Sequence, residues 1–97
     1  MPLINERKQR LYIMKATIEI SMYPLSNDYI QRVLDFLETL NQHDNITVET
    51  NGLSTQIFGD YDDLMDILKL EIFKVLAAQD AIFVLKIGKG ILKYKEE

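Results

Sequence analysis

The stretches Ile18-Glu-Ile-Ser-Met-Tyr-Pro-Leu25 and Leu53-Ser-Thr-Gln-Ile-Phe-Gly-Asp60 decide the fold, because each is typical of a β-strand that ends abruptly. Pro24 has no backbone N–H to donate to a sheet, so it ends the first strand. Gly59-Asp60 ends the second and opens a helix. Both stretches carry small polar and aromatic side chains where a plain strand would carry more valine and isoleucine. We therefore expect two polar strand ends to come together and form a small-molecule pocket.

The hydrophobic pattern around these stretches predicts the remaining elements. Apolar residues at every second position indicate strands with one buried face, and apolar residues at helical spacing indicate helices. The pattern predicts strands over Tyr12–Met22, Ile46–Thr50, Leu53–Phe58 and Ala81–Ile87, and helices over Asn27–Gln42 and from Asp60 to about Ala78.

Several details of these elements are also predictable. Asn51-Gly52 predicts a tight hairpin with positive φ at both turn positions. The nearly continuous apolar run of the last strand favours a central position in the sheet. Ser26 or Asn27 is expected to cap the first helix, and Asp60 the second. The second helix is expected to bury Tyr61, Leu64, Met65, Leu68, Ile72, Val75 and Leu76, and to leave Ile67, Leu70 and Phe73 outside the core.

The order strand-helix-strand-strand-helix-strand predicts an α+β, ferredoxin-like βαββαβ fold, a four-stranded antiparallel sheet with two helices on one face. We expect an N-terminal extension over residues 1–13, a single ligand-binding domain over 14–90 and a charged C-terminal tail over 91–97. The other sheet face would carry Glu19, Ser21, Tyr23, Gln56 and Phe58. Because large open faces are rare in monomers, we expect a homodimer or homotetramer.

Composition excludes several classes of function. The chain has no cysteine, which removes a disulfide scaffold, a thiolate metal site and a cysteine nucleophile, and fits a cytoplasmic protein. Residues 16–85 hold twelve acidic side chains against three basic ones, an unfavourable surface for nucleic acid. No apolar run is long enough for a membrane span. His43 is the only histidine and stands in a polar loop, so we expect neither a metal site nor a catalytic residue.

The two strand ends resemble the motifs of a known family. Ile20-Ser-Met-Tyr-Pro-Leu25, followed by Tyr29-Ile30, is similar to the first motif of the YkoF-like thiamine/hydroxymethylpyrimidine-binding proteins, and Ser54-Thr-Gln-Ile-Phe-Gly-Asp60 to their second motif. The resemblance covers about Met14 to Gly88. It implies a ferredoxin-like, non-enzymatic and oligomeric protein. Members of the YkoF branch carry two such domains in tandem, so self-association would supply the second copy here.

The resemblance and the residue chemistry together suggest a ligand site without a cofactor. The candidate ligand-binding residues are Glu19, Ser21, Tyr23, Asn27, Ser54 and Thr55. Hydroxyl groups suit an aminopyrimidine edge, and tyrosine can stack on a heteroaromatic ring or attract a thiazolium cation. Local hydrogen bonding, helix capping and rim packing are the structural alternatives for the same residues.

Three functions remain open at this point. The first is non-catalytic binding of thiamine or its hydroxymethylpyrimidine moiety by a homo-oligomer, without nucleic acid or membrane partners. The second is a regulatory or oligomeric interaction module of the same fold without a physiological small ligand, which the apolar surplus of the second helix favours. The third is a cofactor-independent enzyme, for which the sequence offers no positioned base or nucleophile.

Overall fold

The structure, a computed structural model, describes residues 13–52 and 54–93. Its four strands form one antiparallel sheet in the order β2-β3-β1-β4, as the predicted ferredoxin-like α+β fold requires. Of the predicted N-terminal extension, only Ile13 lies within the described residues. The elements are β1 (Lys15–Pro24), α1 (Tyr29–Asn41), β2 (Thr47–Thr50), β3 (Thr55–Asp60), α2 (Tyr61–Ala78) and β4 (Ala81–Lys89).

One face of the sheet and the inner sides of the two helices form the core. Side chains alternate along β1, and Ile18 is paired across the sheet with Ile57 of β3, so these residues point toward the helices. Leu40 of α1 and Leu64 of α2 cover them. The buried apolar residues of this cluster are Ala16, Ile18, Ile20, Phe36, Leu40, Ile57, Leu64, Ile67 and Leu68.

The buried side of α2 differs from the prediction. Ile67, expected outside the core, is buried, whereas Leu76, expected inside, is half exposed. The buried stripe follows Leu64, Ile67, Leu68 and Glu71 at helical spacing. The fourth residue of this stripe is a glutamate. Because an apolar pattern leaves out a charged residue, the inner face predicted from the pattern is rotated away from the observed one. Leu70 and Phe73 are exposed, as predicted.

Glu71 is buried because two cationic or proton-donating side chains reach it. His43 Nε2 lies 2.8 Å from one carboxylate oxygen and Lys74 Nζ lies 3.2 Å from the other. Burial tends to raise the pKa of Glu71, but the hydrogen bonds from His43 and Lys74, together with their charges, outweigh it and leave that pKa lowered. The loop after α1 is thereby joined to α2.

The two helices begin differently from the prediction. At α1 the N-cap position is Asp28, not Ser26 or Asn27, and Ser26 instead donates a hydrogen bond of 2.8 Å to the Asp28 carboxylate. That hydrogen bond and one from Arg32 lower the pKa of Asp28. Asp60 stands at the N-cap of α2 as expected, but its carboxylate does not cap the helix; it pairs with Lys15 at 2.7 Å. Neither described helix is long and apolar enough to cross a membrane.

Strand β4 lies at an edge of the sheet, so its predicted central position is wrong. Among the described residues it pairs with β1 alone, from Ala16↔Lys89 to Pro24↔Ala81, and β3 and β1 are the central strands. Pairing with strands on both sides therefore does not explain the apolar run of β4. About half of the surface of Ile82, Val84 and Ile87 is exposed on this edge strand.

The residues after β4 turn back across the face of the sheet that the helices leave open. Thr17 holds them there, since its hydroxyl donates to the Gly90 carbonyl at 2.7 Å and accepts from the Leu92 N–H at 2.8 Å. Lys93 Nζ lies 4.9 Å from the centre of the Phe58 ring. Phe58, expected on an uncovered face, is on that face but only 3% exposed. The C-terminal strap, residues 90–93, thus covers one end of the open face.

The lowered pKa of Glu71 predicts a pH-dependent contribution to stability. His43→Ala should lower the free energy of unfolding by about 1–3 kcal/mol near neutral pH, because a buried carboxylate loses a donor. A lowered folded pKa contributes stability that is complete above the unfolded value, about 4.3, and is lost as pH falls through the folded value.

Chemical unfolding of the parent and of His43→Ala between about pH 6 and about pH 3 tests this. The difference between the two should shrink toward the acid end, and Gln42→Ala, a change at the exposed neighbour, should show no such trend. A difference that stays constant over this range contradicts the account.

Candidate functional site

Strand β1 extends beyond its neighbour β3, and this difference in length creates the site. β1 is paired with β4 as far as Pro24, but with β3 only as far as Ile20, whose partner is Thr55. Residues Ser21–Pro24 therefore have a strand on one side only. A gap opens between the end of β1, the turn that joins β2 to β3, and the middle of α1.

A cavity of about 180 Å³ occupies this gap. Apolar side chains of α1 and the inward-facing residues of β1 form its floor, and hydroxyl and amide side chains of β1 and the hairpin form its rim. Tyr23, which is 54% exposed, stands at its mouth. The lining residues are Ile20, Ser21, Met22, Tyr23, Val33, Phe36, Leu37, Thr50, Asn51, Gly52, Ser54 and Thr55.

The β2–β3 hairpin is antiparallel, as predicted, but its turn has another geometry. Thr50 pairs with Thr55, and the intervening loop spans residues 51–54. The Asn51 N–H donates to the Ser54 carbonyl at 3.0 Å, and the Ser54 N–H donates to the Asn51 side-chain oxygen at 3.0 Å. Because the asparagine side chain closes the loop, neither Asn51 nor Gly52 needs the predicted positive φ, and neither has it.

The hydroxyl groups at the rim are held by specific partners. Thr50 Oγ1 and Thr55 Oγ1 lie 3.1 Å apart, and either can be the donor. The Ser54 hydroxyl donates to a carboxylate oxygen of Glu19 at 2.8 Å. Lys86 Nζ lies 3.6 Å from the other oxygen of Glu19. Glu19 therefore holds the Ser54 hydroxyl without being among the lining residues.

The structure brings together most of the residues expected to bind a ligand. Ser21, Tyr23, Ser54 and Thr55 all line the cavity, and Glu19 contacts it through Ser54. Asn27 does not line it; it lies exposed in the segment before α1. The cavity takes its α1 side chains from farther along the helix, at Val33, Phe36 and Leu37.

Sequence reasoning missed eight of the twelve lining residues, and two of them illustrate why. Thr50 is one of them, and its position directly across the hairpin from Thr55 was available as a signal, because antiparallel partners share a sheet face. Phe36 is the other; it forms part of the floor and packs against Phe83 of β4 with ring centres 5.1 Å apart. Its spacing from Val33 and Leu40, three and four residues away, was the available signal.

The cavity offers hydrogen bonding and stacking. Four aliphatic hydroxyl side chains and one amide meet an apolar floor, and no charged side chain is among the described residues that line it. Hydroxyl groups can donate or accept, and an aromatic ring at the mouth can cover a flat ligand. A small planar molecule with a polar edge is the shape and chemistry that this arrangement matches.

A comparison with models of protein families agrees with the fold, and the match includes both of the strand-end motifs that meet at the cavity. The model of the YkoF-related family matches residues 15–88, which include both strand ends and the whole hairpin. The chain belongs to the YkoF-related family. A comparison with the curated proteins finds no match.

Solved structures of similar fold come from bacteria and an archaeon. A protein from Streptococcus pneumoniae is 26% identical, with a TM-score of 0.73 over 81% of this chain and 90% of the other. A protein from Methanocaldococcus jannaschii is 29% identical, with a TM-score of 0.67 over 82% of this chain and 84% of the other. A candidate thiamine biosynthesis or salvage protein from Thermotoga maritima is 18% identical, with a TM-score of 0.68 over 75% of this chain and 81% of the other.

Proposed function

We propose that this YkoF-related protein binds thiamine or its hydroxymethylpyrimidine moiety, without transforming it, as a homo-oligomer. The observation that carries the proposal is a cavity whose lining includes four hydroxyl side chains and draws on both strand ends that resemble the family motifs. Ser21 comes from the first motif, and Ser54 and Thr55 come from the second. Residues distant in sequence thus supply one polar rim above one apolar floor.

The size of the cavity favours the pyrimidine as the group that enters. Pockets for whole drug-sized ligands measure about 300–1,000 Å³, whereas this one measures about 180 Å³. A single substituted ring suits the smaller space, and the remainder of thiamine would extend past Tyr23 at the mouth. The tyrosine ring could then stack on the thiazolium, whose positive charge is attracted to an aromatic face.

The comparisons support the ligand class. The family relation covers the cavity residues, and the Thermotoga maritima structure, named for thiamine biosynthesis or salvage, shares the fold. The lining consists of hydroxyl, amide, aromatic and aliphatic groups, the usual makeup of a binding pocket. With no lysine or arginine among its described lining residues, the cavity favours the unphosphorylated ligand.

The edge strand β4 supports the part of the proposal that concerns self-association. β4 spans nine residues and is paired on one side only within the part of the chain that the structure describes, so its other side presents N–H and C=O groups that no described strand binds. Beside it, Met65, Ile72, Phe73 and Leu85 line an apolar cavity of about 340 Å³. A long apolar edge that stays open invites aggregation, and a second copy pairing through β4 would cover it.

A regulatory or interaction module without a small ligand is the second candidate. The exposed apolar side chains of α2 favour it, since Leu70 is 50% and Phe73 is 69% exposed. This candidate predicts that oligomers form while no thiamine-related compound binds. The two candidates therefore separate on a ligand titration of the intact protein.

Calorimetric titration with thiamine, thiamine phosphates and the pyrimidine alcohol tests the binding proposal. Thr55→Val keeps the shape and removes one hydroxyl, so binding should weaken about threefold to tenfold, the cost of one partly buried hydrogen bond, with little change in thermal stability. Tyr23→Ala should weaken it at least as much through lost stacking. Thr47→Val, the same change on β2 away from the cavity, is the control. Absence of heat from every compound at millimolar concentration rejects the assignment.

Sedimentation of the parent and of charge variants tests the assembly. The parent should form at least a dimer at micromolar concentration, and the double variant Leu70→Glu, Phe73→Glu should dissociate, because carboxylates would replace two exposed apolar side chains of α2, one of which, Phe73, lines the apolar cavity beside β4. Leu34→Glu, which places a single carboxylate on an equally exposed leucine of α1, should assemble like the parent. A monomeric parent, or a double variant that assembles unchanged, contradicts this interface.

A further inference from the structure

A second groove lies in the helical layer, between α1 and α2. Its volume is about 180 Å³, and Phe36 of α1 with Val75 and Ala78 of α2 supply its apolar surface. Because β1 and β3 are antiparallel and each helix folds back over the sheet after its strand, α1 and α2 run antiparallel. The start of α1 therefore lies beside the end of α2, as the hydrogen bond of 3.0 Å from the Leu25 N–H to the Asp80 carbonyl also shows.

Two side chains at this end of the groove have polar atoms without a partner. The side-chain oxygen of Gln79, the C-cap residue of α2, is buried and accepts no hydrogen bond from the described residues. A buried acceptor without a donor is costly, so a donor on a bound molecule is favourable here. Arg32 uses its Nε atom, at 3.1 Å from the Asp28 carboxylate, and its two terminal nitrogens have no partner among the described residues.

The polar groups at the opposite end of the groove are already satisfied. Glu71 is buried there, and its two carboxylate oxygens lie 2.8 Å from His43 Nε2 and 3.2 Å from Lys74 Nζ. The Thr39 hydroxyl donates to the Phe36 carbonyl at 2.7 Å. The polar part of a bound molecule therefore belongs at the end that holds Arg32 and Gln79, and its apolar part extends from there along the groove.

The two helix ends that meet at Arg32 and Gln79 have few counter-charges of their own. After its N-cap residue Asp28, α1 has no acidic residue in its first turn, and α2 has no basic residue in its last turn. The start of a helix favours a negative charge, and the end of a helix favours a positive one. Side by side, these two ends favour a molecule that carries both charges close together.

We propose that this groove binds a free α-amino acid with an aliphatic side chain. The carboxylate of the amino acid pairs with the terminal nitrogens of Arg32, since a guanidinium can bind both oxygens of a carboxylate at once. Its ammonium group donates to the Gln79 oxygen, and Asp35, which also lines the groove, attracts the positive charge. The aliphatic side chain covers Phe36 and Val75, and the small volume of the groove suits a molecule of this size.

This site is distinct from the cavity at the strand ends. Phe36 is the one residue that the two linings share among the described residues. The inference therefore goes beyond the proposed function and does not rest on it.

Calorimetric titration with L-leucine, leucinamide and isocaproate tests the proposal. Leucinamide lacks the carboxylate and isocaproate lacks the ammonium group, while both keep the aliphatic chain. L-Leucine should give saturable heat at millimolar concentration. Each analogue should bind at least about tenfold more weakly, because it loses a charge-assisted hydrogen bond.

Variants locate the binding site within the groove. Gln79→Leu should weaken leucine binding by at least about tenfold, while the thermal stability of the free protein stays the same or rises, because a buried acceptor without a donor has been removed. Arg32→Gln should weaken the binding of leucine and leave that of leucinamide little changed. Gln42→Leu makes the glutamine-to-leucine change at an exposed residue at the end of α1 and should bind like the parent.

Three results overturn the proposal: no saturable heat from L-leucine, equal affinity for the three compounds, or unchanged leucine affinity in Gln79→Leu. Titration of Gln79→Leu with the pyrimidine alcohol keeps the two sites apart. This variant should bind the pyrimidine as the parent does, so a failure at one site is distinguishable from a failure at the other.

Discussion

The register between β1 and β3 is the constraint on which the rest of the site depends. Ile18 faces Ile57 and Ile20 faces Thr55, and this pairing puts the apolar residues of both strands under the helices. A shift by one residue would turn Glu19 and Ser21 into the core and the isoleucines out of it. With this register, the hairpin loop of residues 51–54 makes β3 begin opposite Ile20, and the end of β1 is left to border a cavity.

The open face of the sheet is divided into two ends with different roles. At one end the C-terminal strap, residues 90–93, is bound by Thr17 and shields Phe58, so this end is occupied by the chain itself. The other end leads to the cavity mouth at Tyr23. Between these two ends, Glu19 accepts a hydrogen bond from Ser54, the residue before β3, and forms an ion pair with Lys86 of β4. The polar groups of the rim are held by these contacts before any ligand arrives, which reduces the entropy lost on binding.

Much of this architecture follows from local sequence patterns. Alternation along β1, helical spacing in α1 and α2, and the breaks at Pro24 and Gly59 are short-range signals, and they were sufficient for the element order and fold class. The same breaks indicated where polar strand ends would meet. Family motifs then singled out the residues, four of which line one cavity.

The features that escaped prediction depend on contacts between distant residues. A strand with a continuous apolar run has the same sequence pattern whether a second strand or a second molecule covers it. The pattern therefore predicts β4 at the centre of the sheet, whereas it lies at the edge. Burial of Glu71 requires His43, 28 positions earlier in the chain. The strap requires Thr17 to meet Leu92, 75 positions away. In the hairpin, the Asn51 side chain replaces the backbone geometry that its sequence suggested.

Backbone amide chemical shifts, measured by nuclear magnetic resonance while the aminopyrimidine alcohol is titrated into the isotopically labelled protein, test the central claim most directly. The claim is that a pyrimidine enters the gap beyond the hairpin. The account predicts that the largest shifts fall on Ser21, Met22 and Tyr23 and on the loop of residues 51–54, with the strap and the exposed side of α2 little changed. Shifts concentrated on α2 or on the strap, or no shifts at saturating ligand, would contradict it.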